Sequence, residues 1–328
     1  MNKIRDYQWP SSFIKHKKYV NKISQKENKK KLIIIENFFK KKLYFNNVFL
    51  FPSARACIAT VLRYLKFNRS KQVYVNKWVS HCIFNTVGAY TNINNTFSNP
   101  DMIITVHKWG KIQKFKKTND IKIIEDSVDS IIIKKDSLFV NNGDFEIFSL
   151  PKIIGSISGG IILSRDKKFK DFCVVEQKKN KPLGFYQSFQ KFAEFSKIKS
   201  FNTWLYHESW NTYLDANALD DIISCLDNYD LNKKLITGRL KILKQRFKFL
   251  VNGYERLGPV VPIPLRHVSN KKLMNKYFLI KHINSNENFD SQFEKVYIIP
   301  IHFKISEKFF HKYLKILEKS VHSMLISK

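Results

Sequence analysis

Residue types that build metal sites, disulfides and membrane spans are scarce in this sequence of 328 residues. The four cysteines are widely spaced and form no CxxC pair, which excludes a zinc ribbon and a disulfide framework and predicts reduced thiols. The longest weakly polar run, residues 153–163, contains three glycines and is far shorter than the ~20 apolar residues that span a bilayer. No apolar segment follows the basic N-terminus, so no secretory signal is expected. We therefore predict a cytoplasmic protein without a membrane span or a metal centre.

Acidic residues and arginine are also scarce, whereas lysine is abundant. The chain has 58 Lys+Arg against 27 Asp+Glu, a formal net charge of +31, and only nine of the 58 basic residues are arginine. With 44% hydrophobic and 14% aromatic residues, the sequence is too apolar for a disordered basic tail. Proteins that read nucleic acid favour arginine forks for phosphates and guanines, so we expect no nucleic-acid partner. A non-catalytic anion-binding protein is an alternative that rests on the charge alone.

Short apolar runs alternate with amphipathic segments in the first half of the chain. This alternation of strands and helices predicts a mostly parallel α/β sheet flanked by helices. Such sheets bind ligands at the carboxyl ends of their strands. The predicted strands are 72–75, 102–106, 121–124, 145–148 and 160–164, and the predicted helices are 54–67 and 79–90.

The second half of the chain has longer helical patterns. An apolar stripe at helical spacing predicts one long helix over 217–251. Three prolines within 258–264 end this pattern, and predicted strands at 277–283 and 296–303 precede a terminal helix at 306–326. We therefore predict a small α+β lobe in this part of the chain.

Glycine is rare, with ten residues in 328, but four of the ten fall between positions 143 and 160. Glycines concentrate where a backbone turns sharply or approaches a ligand closely. Lys152 lies among them, in a predicted loop between two buried strands. Burial disfavours the ammonium form, lowers the pKa of a lysine and makes it a nucleophile that can form a Schiff base with an aldehyde. The ordinary alternative is that Lys152 is one of many surface lysines. Of the 58 basic residues nine are arginine, which leaves 49 lysines.

Polar residues at the ends of two other predicted elements suit an anionic, aromatic ligand. Glu125 and Asp126 end a predicted strand, where a carboxylate could pair with a protonated pyridine nitrogen. Ala54 and Arg55 start a predicted helix, whose free amides and positive dipole end can bind phosphate. Ordinary alternatives for these residues are turns and helix caps. Two flat rings lie between these segments, those of Trp78 and His81.

Five motifs occur in the order found in one enzyme family. They are PSARACI, VYVNKW, VHKWG, IEDSVDS and GDFEIFSLPK followed by a glycine pair, with YIIPIHF near the C-terminus. In these motifs the sequence resembles the DegT/DnrJ/StrS family of sugar aminotransferases, which use pyridoxal phosphate (PLP) and have fold type I. The resemblance covers residues 50–164, with weaker similarity beyond. It implies an N-terminal lead-in (1–45) packed on a large cofactor-binding α/β domain (46–245), and a small C-terminal α+β domain (246–328).

The resemblance also implies a role for each candidate residue. Lys152 would form the internal aldimine with PLP and later move a proton between substrate and cofactor. Asp126 would keep the pyridine nitrogen of the cofactor protonated. Ala54, Arg55 and Ser149 would bind the cofactor phosphate.

Three features of the cofactor site stay open in this comparison. The residue stacked on the cofactor ring is either Trp78 or one near Ser80 and His81. Asp129 stands where the family often has Gln or His near the phenolic oxygen of the cofactor, and a second carboxylate would repel a phenolate unless it is protonated or turned away. Lys152 follows the preceding serine by three positions, where the family usually has five, so we expect a tighter cofactor loop.

The activity that the resemblance implies is that of a homodimeric transaminase with active sites at the subunit interface. Such an enzyme would move an amino group from glutamate to a keto-sugar nucleotide in surface polysaccharide biosynthesis, for O-antigen (lipopolysaccharide) or capsule. Asn211 or Asn217 would match a family asparagine that reaches the partner's phosphate. An alternative is a PLP enzyme that acts on a small non-nucleotide ketone or an amino acid.

Overall fold

The structure, a computed structural model of the chain, describes residue 10 and residues 25–96, 98–114, 121–132, 135–179, 212–247, 256–284 and 293–323. The helices are α1 (Gln25–Leu43), α2 (Ala54–Tyr64), α3 (His81–Gly88), α4 (Leu150–Ile153), α5 (Phe169–Lys179), α6 (Ala216–Ser224), α7 (Asn228–Arg246), α8 (Lys271–Tyr277) and α9 (Glu307–Glu318). The strands are β1 (Val48–Phe51), β2 (Gln72–Val75), β3 (Asn92–Asn94), β4 (Met102–Val106), β5 (Lys122–Asp126), β6 (Phe145–Ser149), β7 (Gly160–Ser164), β8 (Val260–Pro264), β9 (Leu279–Asn284) and β10 (Phe293–Pro300).

Seven strands form a central sheet in the order β1-β7-β6-β5-β4-β2-β3. The pairs from β3 to β6 are parallel, whereas β7 pairs antiparallel with both β6 and β1. The carboxyl ends of β1, β2, β4, β5 and β6 therefore lie at one edge of the sheet, together with the amino end of β7. The predicted mostly parallel α/β sheet is confirmed.

Apolar side chains cover both faces of the central sheet. Val48 and Leu50 pack into one core and Phe49 and Phe51 into the other, as the two-residue repeat of a strand requires. Residues of α2, α3 and α5 complete the core on one face, and residues of α1, α6 and α7 complete it on the other. Each fully buried side chain of this size stabilises the fold by about 1.5–3 kcal/mol.

Helix α2 begins where the sequence predicts. Ser53 is its N-cap, and the Ser53 side-chain oxygen accepts a hydrogen bond from the Ala56 amide at 3.1 Å. Buried Ile58, Val61 and Leu62 attach the helix to the sheet. The first turn of α2 is thereby held at the edge where the strands end.

The predicted single helix over 217–251 is wrong, because two helices occupy this segment. Helix α6 ends before a turn at 225–227, and α7 begins after it. The turn lets the Asn228 side chain donate to the Ile154 carbonyl at 2.9 Å and begins a helix that carries Asn232 to the same segment. Hydrogen bonds to a distant part of the chain thus accompany the break.

A second, three-stranded sheet in the order β8-β10-β9 forms the C-terminal lobe, with antiparallel pairing throughout. The helical pattern ends before 258–264, as predicted, but the sequence analysis missed that Val260–Pro264 is strand β8. Among the described strands β8 pairs with β10 alone, and such an edge tolerates Pro262 and Pro264. Phe310 of α9 packs into the same core as α7. The domain boundaries given above stay predictions.

The N-terminal lead-in contains a helix that the sequence patterns did not identify. Ile35, Phe39 and Leu43 of α1 are buried in the same core as residues of the large sheet. Asn217 lies in α6, whereas Asn211 lies outside the described residues. No described helix is long and apolar enough to cross a membrane.

Candidate active site

The start of α2 is pressed against the start of β7. A side chain on Gly160 would put its Cβ 2.6 Å from the Ala54 amide nitrogen, and closer still to the Ser53 carbonyl, so only glycine fits there. The Gly159 amide donates to the Pro52 carbonyl at 2.7 Å. Ser149, the last residue of β6, is the register partner of Gly160. The Ser149 side chain therefore lies close to the first backbone amides of α2, including that of Arg55.

Lys152 lies in the short helix α4, not in the predicted loop. Its ammonium nitrogen is 2.7 Å from Oδ1 of Asp129, which follows β5. Burial alone would lower the pKa of Lys152, but attraction to Asp129 and the hydrogen bond with it outweigh burial, so the pKa is raised. The predicted lowering of this pKa is therefore wrong. The reason is a carboxylate that comes from another strand connection.

Asp126 is the last residue of β5 and is buried. Its Oδ1 accepts a hydrogen bond from the Val128 amide at 3.1 Å. Burial raises the pKa of Asp126 to about 7, although attraction to Lys152 and the Val128 amide act in the opposite direction. The site therefore holds a carboxyl group whose negative charge is incompletely compensated, and a cation beside it would be stabilised.

Glu125 points away from Asp126, as neighbouring strand residues must, and joins a buried polar network. Its carboxylate contacts His107 Nε2 at 2.8 Å. Beside it, Arg256 forms an ion pair with Glu146 at 2.8 Å, and both side chains are fully buried. Removing one member of such a pair costs about 3–5 kcal/mol, so this network supports β5 and β6 beneath the site.

The two predicted ring residues lie on either side of the turn into α3. Trp78 is 48% exposed, and its indole stacks on the His282 imidazole of the C-terminal lobe, with ring centroids 4.9 Å apart. His81 is exposed at the first position of α3. Which of the two rings stacks on a cofactor stays a prediction.

Residues that the sequence analysis missed complete the surroundings of Lys152. Lys108 follows β4, donates to the His282 carbonyl at 2.9 Å, and is electrostatically coupled to Asp129 and Lys152. The Cys82 thiol of α3 acts on Lys152 as well. The sequence offered one signal for Lys108, its position two residues after the predicted strand at 102–106. No three described His, Cys, Asp or Glu side chains are placed to hold a metal ion.

A protein-family model described as "Putative PLP-dependent aminotransferase" matches residues 35–320, most of the chain. The chain belongs to this family. It is thus a PLP-dependent aminotransferase, and the predicted cofactor and enzyme class are confirmed. No curated protein matches the sequence.

Several solved structures share the fold of this family member. A DegT DnrJ EryC1 StrS aminotransferase from Brucella abortus has a TM-score of 0.60 at 12% identity, over 88% of this chain and 90% of that chain. DesI, solved in the presence of its TDP-sugar product, has a TM-score of 0.57 at 10% identity, over 88% and 84%. NtdA from Bacillus subtilis, with bound cofactor PMP, has a TM-score of 0.57 at 13% identity, over 96% and 88%. The predicted fold type I is confirmed.

The sheet edge of this PLP-dependent aminotransferase fits its cofactor. PLP carries an aldehyde, a pyridine nitrogen and a phosphate. The edge offers an amine at Lys152, an incompletely compensated buried carboxyl at Asp126, and a helix start that Gly160 brings close to Ser149. Each chemical group of the cofactor thus has a suitable partner on adjacent elements.

Proposed function

We propose that the chain binds PLP at this edge and transfers an amino group from glutamate to a keto-sugar nucleotide. One observation carries the proposal. Asp126 ends β5, Lys152 lies in α4 directly after β6, and the start of α2 contacts β7, so all three lie at the ends of neighbouring strands. When bound, PLP supplies an electron-withdrawing ring that takes up the electron pair left on the substrate carbon. The chain supplies binding, orientation and proton movement.

Each candidate residue has a chemical task in this proposal. Lys152 Nζ would hold the cofactor through its aldehyde and, as an amine, would carry a proton to and from the substrate. The Asp126 carboxylate would pair with the protonated pyridine nitrogen. Ala54 and Arg55 would donate their backbone amides to the phosphate, and the Ser149 hydroxyl would add a further donor.

The sugar-nucleotide acceptor is supported by two observations. DesI, which shares the fold, is described with a TDP-sugar product. The net charge of +31 favours approach of an anionic nucleotide diphosphate and of the cofactor phosphate. We propose that the reaction takes place in the cytoplasm and provides an amino sugar for a surface polysaccharide.

A glutamate-dependent assay tests the donor and the acceptor together. Formation of 2-oxoglutarate is measured with a panel of keto-sugar nucleotides and of small ketones, using protein loaded with PLP. We expect turnover with a keto-sugar nucleotide, loss of it in Lys152→Ala, and full activity in Lys122→Ala, because Lys122 pairs with Asp144 away from the site. Turnover with small ketones alone would instead favour a non-nucleotide substrate.

We also propose that two chains assemble with their active sites at the interface. Exposed apolar residues on the helices beside edge strand β1 support assembly. Ile33 and Ile34 of α1 are 45% and 52% exposed, and Val174 and Val175 of α5 are 42% and 53% exposed. Sedimentation at micromolar concentration should give twice the chain mass of 38.9 kDa. A single-chain mass would contradict the proposed homodimer.

A further inference from the structure

Asp129 is held rigidly at the position from which it contacts Lys152. The turn after β5 is closed by a hydrogen bond from the Ser130 amide to the Ser127 carbonyl at 2.9 Å. The next amide, that of Ile131, donates to the Leu257 carbonyl at 2.7 Å. The Asp129 side chain itself is 6% exposed, so its carboxylate is shielded from water and directed at the lysine.

Titratable groups from four parts of the described chain face Lys152. Asp129 comes from the turn after β5, Asp126 from β5 itself, Cys82 from α3 and Lys108 from the segment after β4. The two carboxyl groups favour the ammonium form of Lys152, whereas Lys108 opposes it. The 2.7 Å contact makes Asp129 the strongest partner among these groups.

We propose that Asp129 is a positioning residue that holds Lys152 in place as an ammonium ion through this ion pair. An ammonium nitrogen has no lone pair and cannot attack a carbonyl carbon.

This inference rests on the proposed function only in taking Lys152 as the reactive lysine, and its test needs no cofactor. The full-length, cofactor-free chain is treated with acetic anhydride at a series of pH values. Chymotryptic peptides then report the acetylation rate of Lys152 by mass spectrometry. Acylation, like attack on an aldehyde, requires the free amine, so the rate measures the uncharged fraction of Lys152.

In Asp129→Asn we expect Lys152 to be acetylated about tenfold faster at pH 7.5, with the half-maximal rate reached about one pH unit lower. Asp129→Glu keeps the carboxylate and should remain close to the unaltered chain. Asp144→Asn is the matched control, because Asp144 forms a 2.8 Å ion pair with Lys122, and it should leave Lys152 unchanged.

Two results would overturn the inference. One is an Asp129→Asn protein with native circular dichroism whose Lys152 reacts at the unaltered rate or more slowly. The other needs no variant: in the unaltered chain, half-maximal acetylation of Lys152 at or below about pH 10.4, the ordinary lysine pKa, would show that attraction to Asp129 does not outweigh burial of the lysine. A chain that fails to take up PLP contradicts the proposed function and leaves this result unaffected.

Discussion

Asp126 and Glu36 are two buried carboxyl groups at different places in the molecule, and burial disfavours the ionised form of each. Burial raises the pKa of each to about 7. Asp126 lies at the site edge, whereas Glu36 lies on α1, where its Oε1 accepts a hydrogen bond from the Leu50 amide at 3.1 Å. Glu36 is therefore a control for Asp126: substitutions of the two residues should affect stability alike, but only Asp126 should affect cofactor binding.

Asp126→Asn and Glu36→Gln should both stabilise the cofactor-free protein at pH 8. An unfolded aspartate ionises near pH 3.9, so between about pH 4 and pH 7 folding of the unaltered chain binds a proton and its stability falls as pH rises. The advantage of Asp126→Asn should be absent near pH 4 and grow to about 4 kcal/mol above pH 7. Urea unfolding at several pH values measures it. Only Asp126→Asn should also weaken PLP binding; equal weakening by Glu36→Gln would contradict the role of Asp126.

The sequence predicts the position of Asp126 but not the state of Lys152. Asp126 can be located because it ends an apolar strand, and strand ends of a parallel sheet meet at one edge. The ionisation of Lys152 depends on Asp129, which comes from a separate connection and points toward it only in the folded chain. Lys108 and Cys82 escaped detection for the same reason, since their relevance arises from packing between distant segments.

At the scale of elements, the close contact between β7 and α2 shapes the phosphate end of the site. Gly160→Ala should push the start of α2 away, because the new Cβ meets backbone atoms of Ser53 and Ala54 that cannot rotate aside. We expect PLP affinity, measured by absorbance titration, to fall about tenfold or more, or ~1.4 kcal/mol.

Gly238→Ala is the control for this substitution. Gly238 is exposed inside α7, and a Cβ there meets no atom within 4 Å. The change should stabilise the chain by about 0.5–1 kcal/mol and leave PLP affinity unchanged. Unaltered affinity in Gly160→Ala would show that the β7–α2 contact does not form the phosphate site.

Helix α7 connects the Lys152 segment with the C-terminal lobe through one buried side chain. Asn232 donates to the Ile153 carbonyl at 2.7 Å and accepts from the Phe303 amide at 3.0 Å. Asn232→Leu leaves both backbone groups unsatisfied and should cost about 2–5 kcal/mol in urea unfolding. Asn228→Leu removes one partly buried bond and should cost about 1 kcal/mol. Equal losses in the two variants would refute this linking role.

Elements with strong local signals were predictable, and those decided by distant contacts were not. The strands at 72–75, 102–106 and 160–164 match, because apolar runs between polar turns specify buried strands. The break between α6 and α7 was missed, since the apolar stripe continues across it. Strand β8 was missed because prolines are tolerated only in an edge strand, and the sequence does not show that β8 lies at the edge of its sheet.

At the scale of the whole molecule, the large positive charge is mostly a property of lysines spread along the chain. Most of the 58 basic residues therefore have no specific task in the proposed reaction. One lysine differs from the rest by its place at the edge where β5, β6, β7 and α2 meet. We propose that Lys152 alone among them bonds to the cofactor.

Reduction with borohydride, which fixes the cofactor to the lysine that holds it, tests whether that lysine is Lys152. The full chain is mixed with one equivalent of PLP, the lysine–cofactor bond is reduced, and the modified peptide is located by mass spectrometry. We predict one label per chain, on Lys152, together with a visible absorbance band that disappears in Lys152→Ala and persists in Lys122→Ala. A label distributed over many lysines, or a single label elsewhere, would contradict the assignment of the active site.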